Sequence, residues 1–368
     1  MLDRRNGPSL RNSRAGREFI RLRRLQPVAC KMFVQDIREK LSMSLVVRSA
    51  ALALVAMSSS LSVAPAMAQD YPSRPVKMIV PFGAGGPADV FSRQLAQILQ
   101  DALKQSFVVE NRPGAGSIIG TSEVAKSAPD GYTLLTMSNT HTVNETMTPN
   151  KPFQLMRDFV PVAGINYSDL VMAVHPSVAA KDVKEFIALA KKEPDKLNFA
   201  SSGLATPYHM AGELFKHMTG TQIVHVPHKA SGEMRSSVIG GHVQMAFDAV
   251  TTMTENVKAG QVRALGTSAS KRSTVLPDVP TIAEAGVPGY EATIWLGIMA
   301  PKGTPQAVVD KLNAEINKAI NRPEILAAWQ KQGAVPLAMT PAEFDAYLRK
   351  DIEKWANVVN AAGLVQKQ

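Results

Sequence analysis

The stretch Pro81-Phe82-Gly83-Ala84-Gly85-Gly86-Pro87-Ala88-Asp89 constrains this chain more than any other. It joins a strand-like run, Val76 to Val80, to a helix-like run that begins near Ala88. A glycine-rich turn feeding a helix offers free backbone N–H groups at the positive end of the helix dipole. Such a turn can hold a carboxylate or a phosphate without help from Lys or Arg. The fold must therefore place a strand end and a helix start around one anion site.

The formal charge of +10 over 368 residues looks basic until it is located. Residues 1–42 hold eleven Lys/Arg against four Asp/Glu, and residues 43–68 add only Arg48, so the rest of the chain is nearly neutral. The basicity belongs to the N-terminal extension and argues against a nucleic-acid partner. Met43 to Ala68 has the order of a secretory signal: Arg48, an apolar run from Ala50 to Met57, then Ala66-Met67-Ala68. This pattern predicts cleavage before Gln69 and a periplasmic product. Residues 1–42 read as a disordered basic extension, or Met43 as the true start. The only cysteine, Cys30, lies in this leader. The exported chain then has no disulfide, thiolate metal site or cysteine nucleophile.

Strand-like and helix-like segments alternate beyond the leader, which predicts an α/β fold with mostly parallel sheets. Phe91, Leu95, Ile98, Leu99 and Leu103 form one apolar helical stripe after the first turn. Further turns are Asn111 to Gly116 and Pro129-Asp130-Gly131. A second block, about Val171 to Glu291, offers strands at Leu170–Val174, Leu197–Ser201, Ile223–Val226, Val243–Phe247 and Val262–Gly266, each followed by a helical pattern. The last block returns to one strand, Ile294–Ala300, and three helices that start at or near Pro305, Pro323 and Pro341. The organisation expected is one domain of residues 69–170 plus 292–368 and a second of residues 171–291.

Several chemistries compete for these turns. Gly83-x-Gly85-x-x-Ala88 formally matches a dinucleotide fingerprint, with Glu110 ending the next strand where a ribose-binding acid would sit. An exported dinucleotide-dependent oxidoreductase is the alternative function on that basis. Pro87 speaks against it, since it supplies no N–H where donors are needed. Ala200 to Thr206 is a second hydroxyl- and glycine-containing turn at a strand end. Ser201 and Ser202 lack the G-x-S-x-G setting of a nucleophile. His209, Glu213 and His217 share one helical face, but no H-E-x-x-H occurs, and no metal is expected. His141 and His209 are read as hydrogen-bonders beside a cleft. Asp248, at a strand end, either meets a ligand or caps the next helix, and Trp295 either lines the cleft or fills the core.

Taken in order, these segments resemble the Bug (TctC-like) family of extracytoplasmic solute receptors. The resemblance rests on Tyr71-Pro72-Ser73-Arg74-Pro75, the Pro81–Asp89 turn, Glu110 to Gly116 and Ala128 to Leu135. It continues through Ser201-Ser202-Gly203, His209, Ala211 to Phe215, Leu276 to Thr281 and Asn313 to Asn317. It implies an α/β, two-domain periplasmic-binding-protein fold of the type II, Venus-flytrap kind with a hinged central cleft. It also implies no enzyme activity and no cofactor. The expected partners are a small carboxylate and the membrane permease subunits of a tripartite tricarboxylate transporter, or a sensor kinase, with the receptor a monomer. Carried over by position, Phe82, Gly83, Ala84, Gly85, Gly86, Pro87, Ala88 and Asp89 would cradle a carboxylate. Ser138, Asn139, Thr140 and His141 would lie beside it. Ser201, Ser202, Gly203, Leu204, Ala205 and Thr206, with His209 and Asp248, would close from the second domain.

The chain departs from the family pattern at Ala88, where a Thr hydroxyl is common, and at Leu204-Ala205, which replace a more polar pair. His228 and Ala230 stand where Tyr and Gly are frequent, and Pro207-Tyr208 follows the second turn. These departures imply a less polar cleft, suited to an aromatic or branched monocarboxylate.

Overall fold

The computed structural model describes residues 71–366; the leader expectations, including cleavage before Gln69, lie outside the described residues. Ten strands are present: β1 (Val76–Val80), β2 (Phe107–Asn111), β3 (Thr133–Ser138), β4 (Phe159–Val174), β5 (Asn198–Ser201), β6 (Val224–Pro227), β7 (Met245–Ala249), β8 (Arg263–Thr267), β9 (Thr293–Pro301) and β10 (Ala334–Pro336). Between them lie α1 (Pro87–Leu103), α2 (Ile118–Ala125), α3 (Asn139–Met147), α4 (Leu155–Asp158), α5 (Val183–Lys192), α6 (Pro207–Thr219), α7 (Ser231–Ile239), α8 (Val250–Lys258), α9 (Gln306–Ile320), α10 (Pro323–Gln332) and α11 (Pro341–Ala361).

The strands pair in the order β2-β1-β3-β9-β4-β7-β5-β6, with β8 and β10 also on β4. The sheet is mixed, which corrects the expectation of mostly parallel pairing. β1 runs parallel to β2 and β3, and β5 runs parallel to β6 and β7. Every pairing of β4 and β9 is antiparallel. The reason is the path of two long strands. Residues Phe159 to Asp169 of β4 pair with β9, whereas Leu170 to Val174 pair with β7. β4 thus leaves one set of strands and enters the other within a single strand, and β9 makes the return. A second difference concerns β8. No helix follows it; the chain makes turns whose Thr281 bridges back to Thr267.

The buried apolar side chains divide along the same line. One core gathers residues of the segment Leu170–Ile294, among them Phe186, Phe199, Phe215 and Phe247. Two others use residues before Leu170 and after Ile294, including Phe91 with Trp329 and Trp295 with Phe344. Trp295 is therefore a core residue. A fourth cluster joins the two sets, packing Ala205 and Met210 against Val143, Met147, Trp355 and Val359.

The helix after the first turn shows how sequence becomes packing. Its Phe91, Leu95, Ile98 and Leu99 are buried, and each such side chain contributes about 1.5–3 kcal/mol by leaving water. Gly86 is its N-cap in an extended conformation and Pro87 its first residue, where a missing N–H costs nothing. Lys104, left-handed at φ 54°, ends it.

Candidate functional site

Five loops leave strand ends and enter helices around one cavity of about 420 Å³. They follow β1, β2, β3, β5 and β6, and open α1, α2, α3, α6 and α7. The C-terminal ends of parallel strands are where open α/β sheets present ligand crevices. The N-caps of all five helices, Gly86, Ser117, Ser138, Thr206 and Ala230, line the cavity. Three of them, Gly86, Ser117 and Ala230, make no side-chain cap hydrogen bond. Pro87 has no N–H, and the Asp89 and Ile118 N–H groups already donate to the Gly86 and Ala115 carbonyls, so only the remaining first-turn N–H groups are free for an occupant of the cavity. Ile294 and Leu296 of β9 add an apolar surface, joined by Phe82, Pro87, Ala88, Pro113 and Pro207. Among the described residues no Asp, Glu or Arg lines the space, and Lys229, exposed at the rim, is the one Lys.

The two sides of the cleft touch. A Cβ added to Gly83 would stand 2.5 Å from Ala230 Cβ, and one added to Gly86 would stand 2.7 Å from Ser231 Oγ. On another edge Gly116 sits close to the Leu204 carbonyl. The cleft is closed around its cavity, and bare glycine backbone makes the closest approach possible.

The structure brings together part of the expected set. Phe82, Gly83, Gly86, Pro87, Ala88, Ser138, Ser202, Gly203 and Thr206 line the cavity. Ala84 and Gly85 are exposed outside it. Asp89 turns away: it accepts the Gly85 N–H at 3.1 Å and the Arg93 Nε–H at 2.9 Å. Burial opposes its charge, but these donors prevail and hold its carboxyl below the usual range. Asn139 spans to β9, donating to the Thr293 carbonyl and accepting from Trp295 N–H. Thr140 and His141 belong to the cap of α3, where His141 Nε2 lies 3.0 Å from Thr121 Oγ1. Burial pushes the His141 imidazole down to about 4, so it is neutral.

On the other side, Ser201, Leu204, Ala205 and His209 stand behind or beside the second turn. Ser201 Oγ lies 2.6 Å from His225 Nε2 and accepts the Gly203 N–H at 3.1 Å. His209 accepts the Ala205 N–H and packs its ring 4.2 Å from that of His225. Burial lowers the His209 pKa to about 3 and that of His225 to about 4. Leu204 is exposed and Ala205 is buried against the cluster that joins the halves. Asp248 is fully buried, paired with Arg235 Nε at 2.8 Å and accepting its neighbour Ala249 N–H. Burial raises its pKa, countered by Arg235. Its side chain supports the second half from behind.

Sequence reasoning missed the loop Pro113–Ser117 and the β9 residues, and it read His228, Ala230 and Tyr208 only as departures affecting cleft polarity without naming them as lining residues. Asn111 to Gly116 was visible as a turn, yet nothing local shows that it reaches the same cavity as Gly86. Glu110, the acid a dinucleotide would need, is paired with Lys77 and Arg112 outside the cavity. Among the described residues no group of three or more His, Cys, Asp or Glu could hold a metal ion, and no helix is long and apolar enough to cross a membrane.

The sequence profile described as "Tripartite tricarboxylate transporter family receptor" matches residues 91–364. Protein BugT of Bordetella pertussis is 39% identical over 302 residues, which span 82% of this chain and 93% of BugT. Among solved structures, Rpa4515 of R. palustris with adipate superposes with a TM-score of 0.77 at 33% identity, covering 80% of this chain and 98% of that one. MatC of Rhodopseudomonas palustris with bound malate gives a TM-score of 0.75 at 30% identity, covering 78% and 100%. The fold is therefore the two-domain α/β architecture of periplasmic solute-binding proteins. The family is made up of periplasmic substrate-binding receptors and not enzymes, which sets aside the oxidoreductase alternative. This chain belongs to the tripartite tricarboxylate transporter receptor family, the Bug (TctC) solute-binding proteins.

Proposed function

We propose that this protein captures a small carboxylate bearing an aromatic or branched apolar body and presents it, in the closed form, to the permease subunits of a tripartite tricarboxylate transporter. The observation that carries the proposal is the convergence of five helix N-caps on one cavity that no Arg among the described residues lines. Each N-terminus favours an anion by about 0.3–1 kcal/mol, more when partly buried. The apolar wall of Phe82, Pro87, Pro113, Ile294 and Leu296 suits the ligand's body. In this reading residues 69–170 plus 292–368 and residues 171–291 are the two moving bodies. The passages of β4 and β9 between them form the hinge. Ligand shifts the population toward closure by its differential affinity for that state. The receptor works as a monomer, exported by a signal cleaved before Gln69; delivery to a sensor kinase is the other outlet for the same closed form.

The rival ligand class is a linear or hydroxylated di- or tricarboxylate, since Rpa4515 and MatC are described with adipate and malate. A thermal-shift and calorimetric series of benzoate, nicotinate, a branched monocarboxylate, adipate, malate, citrate and NAD separates the classes. Stabilisation by the apolar monocarboxylates supports the proposal. Tight binding of citrate alone would overturn it.

A further inference from the structure

Two polar atoms at this cavity are buried and make no hydrogen bond of good geometry among the described residues: Ser117 Oγ and, beside the Ser231 side chain, Tyr208 Oη. Both residues line the cavity, and they are only 3% and 2% exposed. They come from opposite sides of the cleft. Ser117 is the N-cap of α2, and Tyr208 is the second residue of α6. Other hydroxyls of the same cavity are spent internally: Ser138 Oγ donates to Thr140, and Thr206 Oγ1 donates to the Gly203 carbonyl. A buried hydroxyl left unpaired is costly, so two of them on residues that line one space require an explanation.

Ser117 carries a second cost. Its backbone sits at φ 76°, ψ −7°, the left-handed region where glycine is unstrained and a side chain is not. Its side chain does not offset that strain with a cap hydrogen bond. Tyr208 is held as a neutral O–H donor: burial first, then the nearby Asp248 carboxylate, raise its pKa well above the ordinary value. An unpaired buried hydroxyl and a left-handed non-glycine backbone both cost stability, and such costs cluster at ligand sites.

We propose that Ser117 and Tyr208 are specificity-determining residues, each donating its hydroxyl to an acceptor atom of the bound carboxylate, one from each half of the molecule. This rests on the carboxylate-receptor reading above. It assigns the ligand an acceptor reachable from both sides and makes closure the event that completes its hydrogen bonds. Ligands of similar shape without such an acceptor fail to satisfy the pair.

The test compares S117G, Y208F and the double variant with the unaltered protein. It measures melting temperature without ligand and affinity for the benzoate, nicotinate, adipate, malate and citrate series. S117G deletes both hydroxyl and strain, and Y208F deletes only the orphan hydroxyl. Each should leave the ligand-free melting temperature unchanged or raised, while affinity for the best ligand falls about ten-fold or more, as expected for hydrogen bonds to a charged group. The double variant should lose at least as much as the weaker-binding single variant, and its departure from the product of the two measures their coupling through the ligand. Affinity unchanged within about two-fold, a range too small for such a bond, overturns the inference. So does an affinity loss accompanied by lower ligand-free stability, which marks a packing role. If the unaltered protein binds none of the series, both this inference and the carboxylate reading fall. If it binds and the variants bind equally, only this inference falls.

Discussion

The turn after β1 and the turn after β5 share a plan, a strand end followed by a helix with proline in its first turn, but they satisfy their polar groups in opposite ways. The second turn is built from its own side chains. Thr206 caps α6 and donates to the Gly203 carbonyl, Ser201 links His225 to Gly203, and His209 takes the Ala205 N–H. The first turn has no hydroxyl and no side-chain cap on Gly86. Asp89 accepts the Gly85 N–H on the outward side, the Asp89 N–H donates to the Gly86 carbonyl, and Asn111 Nδ2 donates to the Phe82 carbonyl. One side of the cleft is thus a self-contained scaffold, while the other keeps its donors open and depends on close approach of the opposite half. In a receptor that closes on an anion, donors spent on internal bonds are unavailable to ligand, so the first turn should govern affinity and the second should govern stability.

The largest break in this comparison is Gly83→Val. A side chain there meets Ala230 across the cleft, so closure should fail and carboxylate affinity drop by about a hundred-fold, with the far-UV circular dichroism unchanged. Gly86→Asp is a less clean test, because it would add a charge to the turn and its Cβ would also meet Ser231.

The scaffold side makes a pH prediction. His225 titrates near 4 in the fold through burial, below the ordinary value of 6.5. The unfolded chain therefore takes up a proton first as pH falls. The stability from the neutral imidazole is fully present above about pH 6.5 and is lost between there and about pH 4. The loss is at most about 1.4 kcal/mol per pH unit. Asp169, raised to about 6 by burial and Glu291, works in the opposite sense, so the proper reference is a variant. Urea midpoints at pH 7 and pH 5 should differ less in His225→Gln than in the unaltered protein; equal differences would show that the cluster does not carry the effect.

Asp89→Ala gives the smallest effect. Losing one tie to Gly85 should loosen the first turn and cost affinity a few-fold, with about 1 kcal/mol of stability, measured by calorimetry and thermal melting.

Much of this arrangement was legible in the sequence because its signals are local. Gly-rich runs after apolar strands placed the turns at Gly83–Gly86 and Ser202–Thr206, and helical spacing placed Phe91, Leu95 and Leu99 inward. What stayed hidden is non-local. β4 reads as a strand only from Leu170, because Pro161 and Gly164 interrupt the pattern; both lie at register shifts against β9. The antiparallel contacts of β4 and β9 follow from their passage between halves, which no window of sequence contains. The left-handed backbone of Ser117 and the reach of His228–Ser231 to Gly86 are likewise products of the assembled fold. Asp248 looked like a ligand group because it ends a strand, and Arg235, thirteen residues earlier, holds it instead.

The central claim is that helix N-termini, not a cationic side chain, hold the carboxylate. Among the described residues Lys229 is the only Lys or Arg at the cavity, and it lies exposed at the rim. Calorimetric titration of Lys229→Ala with the tightest carboxylate of the series tests the claim most directly. The account predicts an affinity within about three-fold of the unaltered protein, the scale of an exposed, solvent-screened charge. A loss of a hundred-fold would show that Lys229 is the anchor and would contradict it.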